Sequence, residues 1–414
     1  MRAASKLVGS AGREALGDAV SRRLWRLESE TLCAEARRRT GLADFGEPPI
    51  EPALSILLDS LEREANLHPL GRFLMWMHLR GLLETRLRLA ELWNQEAAAL
   101  AASPLSKPVF ITGMPRSGST LLHELLGEDP ANRAPRVWEV MFPVPTPASG
   151  RGGQDRRIRK SAVCLWWFRR LAPRSESVHP LRASTPHECV AIQSYTLLSE
   201  EFISTCRVPA YEAFLRATDL GPAYAWQRRF LQHLQWNCPI RRWVLKSPDH
   251  VFGLAKLFSA FPDARIIQTH RNPLEVLKSL NRLNEVLRGV FVRPGDPVQS
   301  EAREAHELAS NMERLIRFRD AHPELASRFV DVNYSELVSY PLPTVRRIYE
   351  QLDIPLTQEA AERMRRLAGN RSRYRGRRRG PAVGDSRLGA IAEARRFERY
   401  CSRFGLSCEP AKLD

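Results

Sequence analysis

Pro108-Val-Phe-Ile-Thr112, Gly113-Met-Pro-Arg-Ser-Gly-Ser-Thr120 and Leu121-Leu-His-Glu-Leu-Leu126 follow one another without a break. An apolar run enters a glycine loop and leaves as a helix. The spacing is nearly that of a phosphate-binding loop, in which successive backbone N–H groups and a helix N-terminus surround an anionic oxygen. A nucleoside-triphosphate loop requires Lys after its second glycine. Here that position is Ser119, and the fixed positive charge sits earlier, at Arg116. Arg116 offers a planar, always-charged guanidinium, and Ser117, Ser119 and Thr120 add hydroxyls. The loop therefore predicts an oxyanion other than a magnesium-bound β/γ-phosphate. The same residues could make an ordinary turn, so the reading depends on partners elsewhere in the chain.

Two further units repeat the order of strand, polar turn and helix. Arg242-Trp-Val-Leu-Lys246 runs into Ser247-Pro-Asp-His250 and an apolar helix through Leu254, Leu257 and Phe258. Ala264-Arg-Ile-Ile-Gln-Thr269 runs into His270-Arg-Asn-Pro273 and a helix from Leu274 to Asn284. A fourth strand is predicted at Arg328-Phe-Val-Asp-Val332, before a helix around Thr344 to Leu352. Strands alternating with helices form a parallel sheet. Its ligands sit beyond the carboxyl ends of the strands, where all these polar turns fall. From about Ala15 to Ala102 apolar residues instead recur at helical spacing, with Asn66-Leu-His-Pro69 separating two helices. The predicted organisation is an N-terminal helical region, residues 1–104, and a P-loop-like three-layer α/β domain with a central parallel sheet, residues 105–414. Leu287 to Ser300 reads as a long loop, either a lid or a passive connection. Thr185-Pro-His-Glu188 reads as a helix start with proline near its first position.

The balance of 63 Lys+Arg against 47 Asp+Glu gives a net charge of +16. Such a chain favours an acidic partner, whether nucleic acid, anionic membrane or polyanionic cofactor. Much of the excess lies between Arg151 and Arg174 and between Arg363 and Arg379. The seven cysteines show no C-x-x-C spacing, which points away from a zinc site or disulfide framework and toward a reducing, cytoplasmic setting. No cluster has metal spacing, and no apolar run approaches the length of a membrane span. No recognised nucleic-acid module accompanies the basic runs. Metal, transmembrane segment and nucleic acid are therefore not expected.

Arg271 sits in the third polar turn and Ser279 two helical turns into the following helix. Guanidinium and hydroxyl beside a helix N-terminus suit a phosphate. With Pro115-Arg-Ser-Gly-Ser-Thr120, this pair resembles the PAPS-dependent sulfotransferases, in particular their divergent, bacterial type. The resemblance covers roughly Lys107 to the C-terminus and is strongest over Val109 to Leu126 and Trp243 to Ser279. It implies that Arg116, Ser117, Gly118, Ser119 and Thr120 bind the 5′-phosphosulfate of the co-substrate 3′-phosphoadenosine 5′-phosphosulfate (PAPS), and that Arg271 and Ser279 bind its 3′-phosphate. The sulfuryl group would pass to a hydroxyl or amine with no metal required. Lys246 corresponds to the lysine that opens the family's Lys-Thr-His turn, but the histidine that serves as base in those enzymes is replaced by Pro248. The first choice of base is Glu188, which resembles the Pro-x-Glu element of divergent members; His250, His187 and His123 compete with it. Arg116 and Lys246 are expected to meet the charge that builds on the bridging oxygen.

The acceptor is less defined. Trp166, Trp167, Phe168, Tyr195, Phe202, Phe214 and Trp226 favour a small or amphipathic molecule, while Arg156, Arg157, Arg159 and Arg169 keep a polyanionic glycan open. The run Arg371 to Gly380, with Gly384-Asp385, resembles as a segment the family's C-terminal Arg- and Gly-containing loop. Two rivals stand beside this reading. A P-loop kinase is opposed by Ser119 and by the Arg271/Ser279 pair, and a nucleic-acid binder would use the patch from Arg373 to Arg379.

Overall fold

Strand β1, Val109–Gly113, is buried at every position, as a strand covered on both faces must be. In a computed structural model, which describes residues 17–145, 156–178, 180–236, 238–295, 297–370 and 394–408, it joins β2 (Asn132–Arg133), β3 (Arg242–Lys246), β4 (Arg265–His270) and β5 (Phe329–Asn333). The strand order is β2-β3-β1-β4-β5, and every pairing is parallel. Because β1 has β3 on one side and β4 on the other, the chain changes direction across the sheet at β1. That is where ligands of open α/β sheets bind.

Successive strand residues face opposite layers. Phe110, Leu245, Ile266 and Phe329 enter one core, shared with Leu79, Leu83 and Leu87 of helix α1 (Pro69–Gln95). Val109, Ile111, Val244, Ile267 and Val330 enter the other, with Leu122 and Leu125 of α2 (Ser119–Gly127) and with Val345 and Ile348 of the helix Pro341–Gln351. The result is the expected three-layer α/β arrangement. Helix α3 (Arg156–Leu171) comes between β2 and β3 and packs on the helix Val137–Met141, α4 (Pro273–Arg288) follows β4 directly, and α5 (Glu398–Phe404) meets the end of β4 through Tyr400 and His270.

A buried cation adds to the apolar contacts that tie the helices before β1 to the rest. Arg86 of α1 has no exposed surface. It donates to the carbonyls of Phe45 at 2.8 Å, Gly46 at 3.0 Å and Tyr195 at 2.7 Å, and also to that of Pro48. Its guanidinium lies 4.7 Å from the centre of the Trp226 ring. Burial lowers its pKa to about 10.

Several local expectations are corrected. Leu287 to Ser300 is not a long loop: α4 runs to Arg288 and a new helix begins at Pro297. The chain between them is held down, because His68 N donates to Phe291 O at 3.2 Å. A Cβ on Gly71 would lie 1.8 Å from that same oxygen, so the close approach depends on glycine. The helix expected around Pro186 starts later, at Cys189, with Glu188 as its extended N-cap residue. Pro186 is taken up by a β-bridge to Arg136, which competes with helix at that point. Finally, Cys401 and Cys408 form a disulfide where sequence spacing suggested unpaired thiols. Their proximity comes from the tertiary turn at Gly405, whose φ of +62° reverses the chain after α5.

Candidate active site

The loop between β1 and α2 is shaped by glycine at both ends. Gly113 has φ +121°, and a Cβ there would lie 2.4 Å from the Thr269 carbonyl oxygen. Gly118, the N-cap of α2, has φ +87°. Between them Arg116 adopts a left-handed φ of +63°, which costs a residue with a side chain about 1–2 kcal/mol. Tertiary contacts hold it there. Arg116 O accepts from Arg271 Nη1 at 2.9 Å, and Arg116 Nε donates to Ser279 Oγ at 3.0 Å. The glycine loop after β1 and the turn after β4 are thereby joined through the residues the sequence singled out. Strain concentrated on a charged loop residue is characteristic of functional sites.

The loop hydroxyls divide. Ser117 is fully buried; its Oγ donates to Met114 O and lies 2.6 Å from Thr269 Oγ1, so this hydroxyl fastens the loop to β4. Ser119 sits buried at the first position of α2, and Thr120 is exposed. Arg271 is oriented by two residues the sequence reading missed. Its Nε and Nη2 donate to Glu275 Oε2 at 2.9 and 2.7 Å, and its guanidinium lies 4.2 Å from the centre of the Tyr334 ring. Glu275 was legible as an i,i+4 ion pair on α4. Tyr334 was not, because it comes from the element after β5.

Just before Arg271, a polar chain fixes the end of β4. His270 Nε2 lies 2.8 Å from Asp331 Oδ1 and Nδ1 lies 2.7 Å from the Tyr400 hydroxyl of α5. Arg319 donates to both oxygens of Asp331, at 2.7 and 3.0 Å. Burial alone would raise the Asp331 carboxyl, but the hydrogen bonds from His270 and Arg319 hold it well below the usual carboxylate range.

At the end of β3, beside β1 in the register Ile111↔Lys246, the ammonium of buried Lys246 forms an ion pair with Glu188. Glu188 is delivered by the segment whose His187 N donates to Pro135 O at 2.7 Å. The histidines are arranged otherwise. His250 is buried, with Nδ1 3.0 Å from the Tyr224 hydroxyl and its ring edge-on to Phe110 at 5.1 Å; burial pushes its pKa down to about 3. His123 Nε2 lies 3.0 Å from Val244 O, and burial takes it to about 4. Burial also lowers His187. Asp249, unnoticed in the sequence, is raised to about 7 by burial and by the negative charges of Glu200 and Glu188, while Ser247 Oγ donates to it at 2.9 Å. Of the candidate bases, Glu188 is the one paired with Lys246.

The Arg371 to Gly380 run and Gly384-Asp385 lie outside the described residues. Among the described residues no group of His, Cys, Asp and Glu is arranged to hold a metal ion, and no helix is long and apolar enough to cross a membrane. A cavity of about 540 Å³ opens beside β2 among Glu128, Arg136 and Arg241, but none of the candidate residues lines it.

Over residues 108–358, more than half of the chain, the sequence matches the profile of the Sulfotransferase family. The chain belongs to the sulfotransferase family. Omega-hydroxy-beta-dihydromenaquinone-9 sulfotransferase Stf3 of Mycobacterium bovis and of Mycobacterium tuberculosis are each 25% identical to this sulfotransferase over 329 residues, 74% of this chain and 78% of theirs. The crystal structure of sulfotransferase STF1 from Mycobacterium tuberculosis H37Rv matches with a TM-score of 0.77 at 29% identity, covering 89% of this chain and 98% of that one. Sulfotransferase STF9 from Mycobacterium avium matches at 0.78 with 25% identity, covering 92% and 97%. The parallel-sheet fold read from the sequence is thus that of bacterial sulfotransferases. As a sulfotransferase, the enzyme takes a sulfuryl group from a donor co-substrate.

Proposed function

We propose that this sulfotransferase uses PAPS as its donor and sulfates the hydroxyl of an amphipathic, lipid-like acceptor. The observation that carries the donor reading is the direct linkage of Arg116, Arg271 and Ser279 at the carboxyl ends of β1 and β4. These residues and the amino end of α2 form a cradle with cations and N–H groups for two separate phosphates, and Gly113 and Gly118 let the loop pack closely, since a Cβ there would meet the Thr269 carbonyl or the Tyr334 ring. PAPS bound there would supply the activated sulfuryl group. Backbone N–H groups of the loop, with Ser119 and Thr120, hold the 5′ end, and Arg271 and Ser279 hold the 3′-phosphate.

Lys246 and Glu188 share the remaining work. Glu188 accepts the proton of the acceptor hydroxyl as its oxygen attacks sulfur. Once Glu188 is neutral, the charge of Lys246 is no longer balanced by a carboxylate. With Arg116, it is then available to the negative charge developing on the bridging oxygen. His250, neutral and packed on Phe110 and Tyr224, supports the turn rather than the proton transfer. The acceptor reading rests on the relatives, whose name specifies a hydroxylated dihydromenaquinone, a molecule with a long apolar tail and a terminal hydroxyl.

Calorimetric titration tests the donor. Adenosine 3′,5′-bisphosphate should bind, and ATP with Mg²⁺ should bind far more weakly. Arg271→Ala should weaken the bisphosphate by about 1.5–3 kcal/mol, roughly 10- to 150-fold, as expected for a lost charged hydrogen bond. Equal affinity in wild type and Arg271→Ala would remove the 3′-phosphate from this turn, and a preference for ATP with Mg²⁺ would overturn the donor. Radiolabelled PAPS supplied with long-chain hydroxylated quinones, phenols, sterols and oligosaccharides tests the acceptor. Label entering oligosaccharide alone would reverse the lipid assignment.

A further inference from the structure

Helix α3 turns a face to solvent that an ordinary surface helix would not. Trp166 is 43% exposed and Trp167 57% exposed, with Val163 and Leu171 about half exposed beside them. The two indoles meet edge to face at 4.8 Å, and the Arg170 guanidinium lies 4.9 Å from the centre of the Trp166 ring. On the helix, positions 156, 159, 163, 166, 167 and 170 share one side. Apolar residues thus occupy the middle of this side, with Arg156 and Arg159 at one end and Arg170 at the other. The opposite side is fixed in the protein: Ser161 and Leu165 are buried, and Arg157 donates to Phe142 O at 3.1 Å and Pro143 O at 2.8 Å. The outward side is therefore a formed surface, already held in place by its inward contacts.

We infer that this face docks on an anionic lipid bilayer. Tryptophan is favoured at the membrane–water interface because its ring is apolar and its N–H stays hydrated. A helix with aromatic residues on one side and cations around them lies in the interface plane. Between 156 and 174 the chain carries seven Arg and Lys and no Asp or Glu, so the surface complements anionic headgroups. The same charge argues against pairing with a second copy, since a two-fold contact would oppose like charges. The location is suited to an interfacial enzyme. The helix Val137–Met141, which precedes α3 in the chain and whose following residues Phe142 and Pro143 accept from Arg157, is hydrogen-bonded to the segment leading into Glu188 through Val137 N to Thr185 O at 3.0 Å. The segment after it, Ser175–Val178, packs on α4, which carries Ser279. Docking would bring the site to the bilayer surface, where a lipid hydroxyl is found.

Flotation of the full chain with lipid vesicles tests this without any turnover, and so without relying on the acceptor reading. Wild type should float with phosphatidylcholine vesicles containing phosphatidylglycerol, and less so as salt shortens the Debye length from about 10 Å at 0.1 M to about 3 Å at 1 M. Because a chain of net charge +16 is drawn to any anionic surface, the deciding variant keeps the charge. Trp166→Ala/Trp167→Ala should partition into these vesicles at least about tenfold more weakly, with its melting temperature unchanged. Equal partition of this variant and wild type would overturn the inference, as would failure of wild type to bind. So would a lipid-free dimer in analytical ultracentrifugation that the double variant loses. A second measurement stands should that variant fold poorly. Cys164 is exposed on α3, and a polarity-sensitive dye on it, in a Cys238→Ser background, should shift to the blue on addition of anionic vesicles. An unshifted spectrum would overturn the inference equally.

Discussion

Glu188→Gln should lower turnover by about 10²- to 10⁴-fold, the usual loss for a general base, while adenosine 3′,5′-bisphosphate binds as tightly as to wild type. The expectation follows from the Lys246–Glu188 ion pair, which puts the carboxylate beside the end of β1. Glutamine keeps the size and one hydrogen bond to the ammonium, so the fold should survive. It cannot accept the acceptor's proton, and it leaves Lys246 with no counter-charge. Single-turnover measurements with donor saturating isolate the chemical step. Near-normal turnover would exclude Glu188 as base and direct attention to Asp249, whose carboxyl, raised to about 7 by burial and the neighbouring acids, is the next group able to accept a proton near neutrality.

Arg86→Met should cost about 3–5 kcal/mol of stability, at the upper end of single substitutions. Met fills most of the same volume, so little of the loss would come from a cavity. It comes from the carbonyls of Phe45, Gly46, Pro48 and Tyr195, which lose a charged donor inside the core. A buried acceptor left unpaired costs about 1–3 kcal/mol, and local rearrangement will re-satisfy part of the set. Denaturant unfolding checks the value. Arg38→Ala provides the contrast, because the exposed Arg38–Glu35 pair should change stability by no more than about 0.5 kcal/mol. A similar small effect at Arg86 would mean that the apolar contacts and the other polar links, such as Arg229 to Trp93 O at 3.0 Å, hold the helices before β1 without it.

The sequence by itself determined the elements whose signals are short-range. β1 reads as a strand because an apolar run, Val109 to Ile111, leads into the glycine loop, the loop reads as an anion cradle because Gly113 and Gly118 flank Arg116, and α4 reads as a helix because Leu274, Leu277, Leu280 and Leu283 recur at helical spacing. Strand, turn and helix recurring in that order fixed a parallel sheet, and with it the end at which ligands bind. Tertiary structure decided which of these residues meet. Arg116 reaches Ser279 across 163 positions and Lys246 reaches Glu188 across 58, distances over which no local pattern carries information. Burial was equally non-local: His250 and Trp167 are both polar-tipped rings in the sequence, yet one is sealed against Phe110 and Tyr224 while the other stands in solvent. A side chain's surroundings are set by the elements that pack over it, and those come from distant parts of the chain.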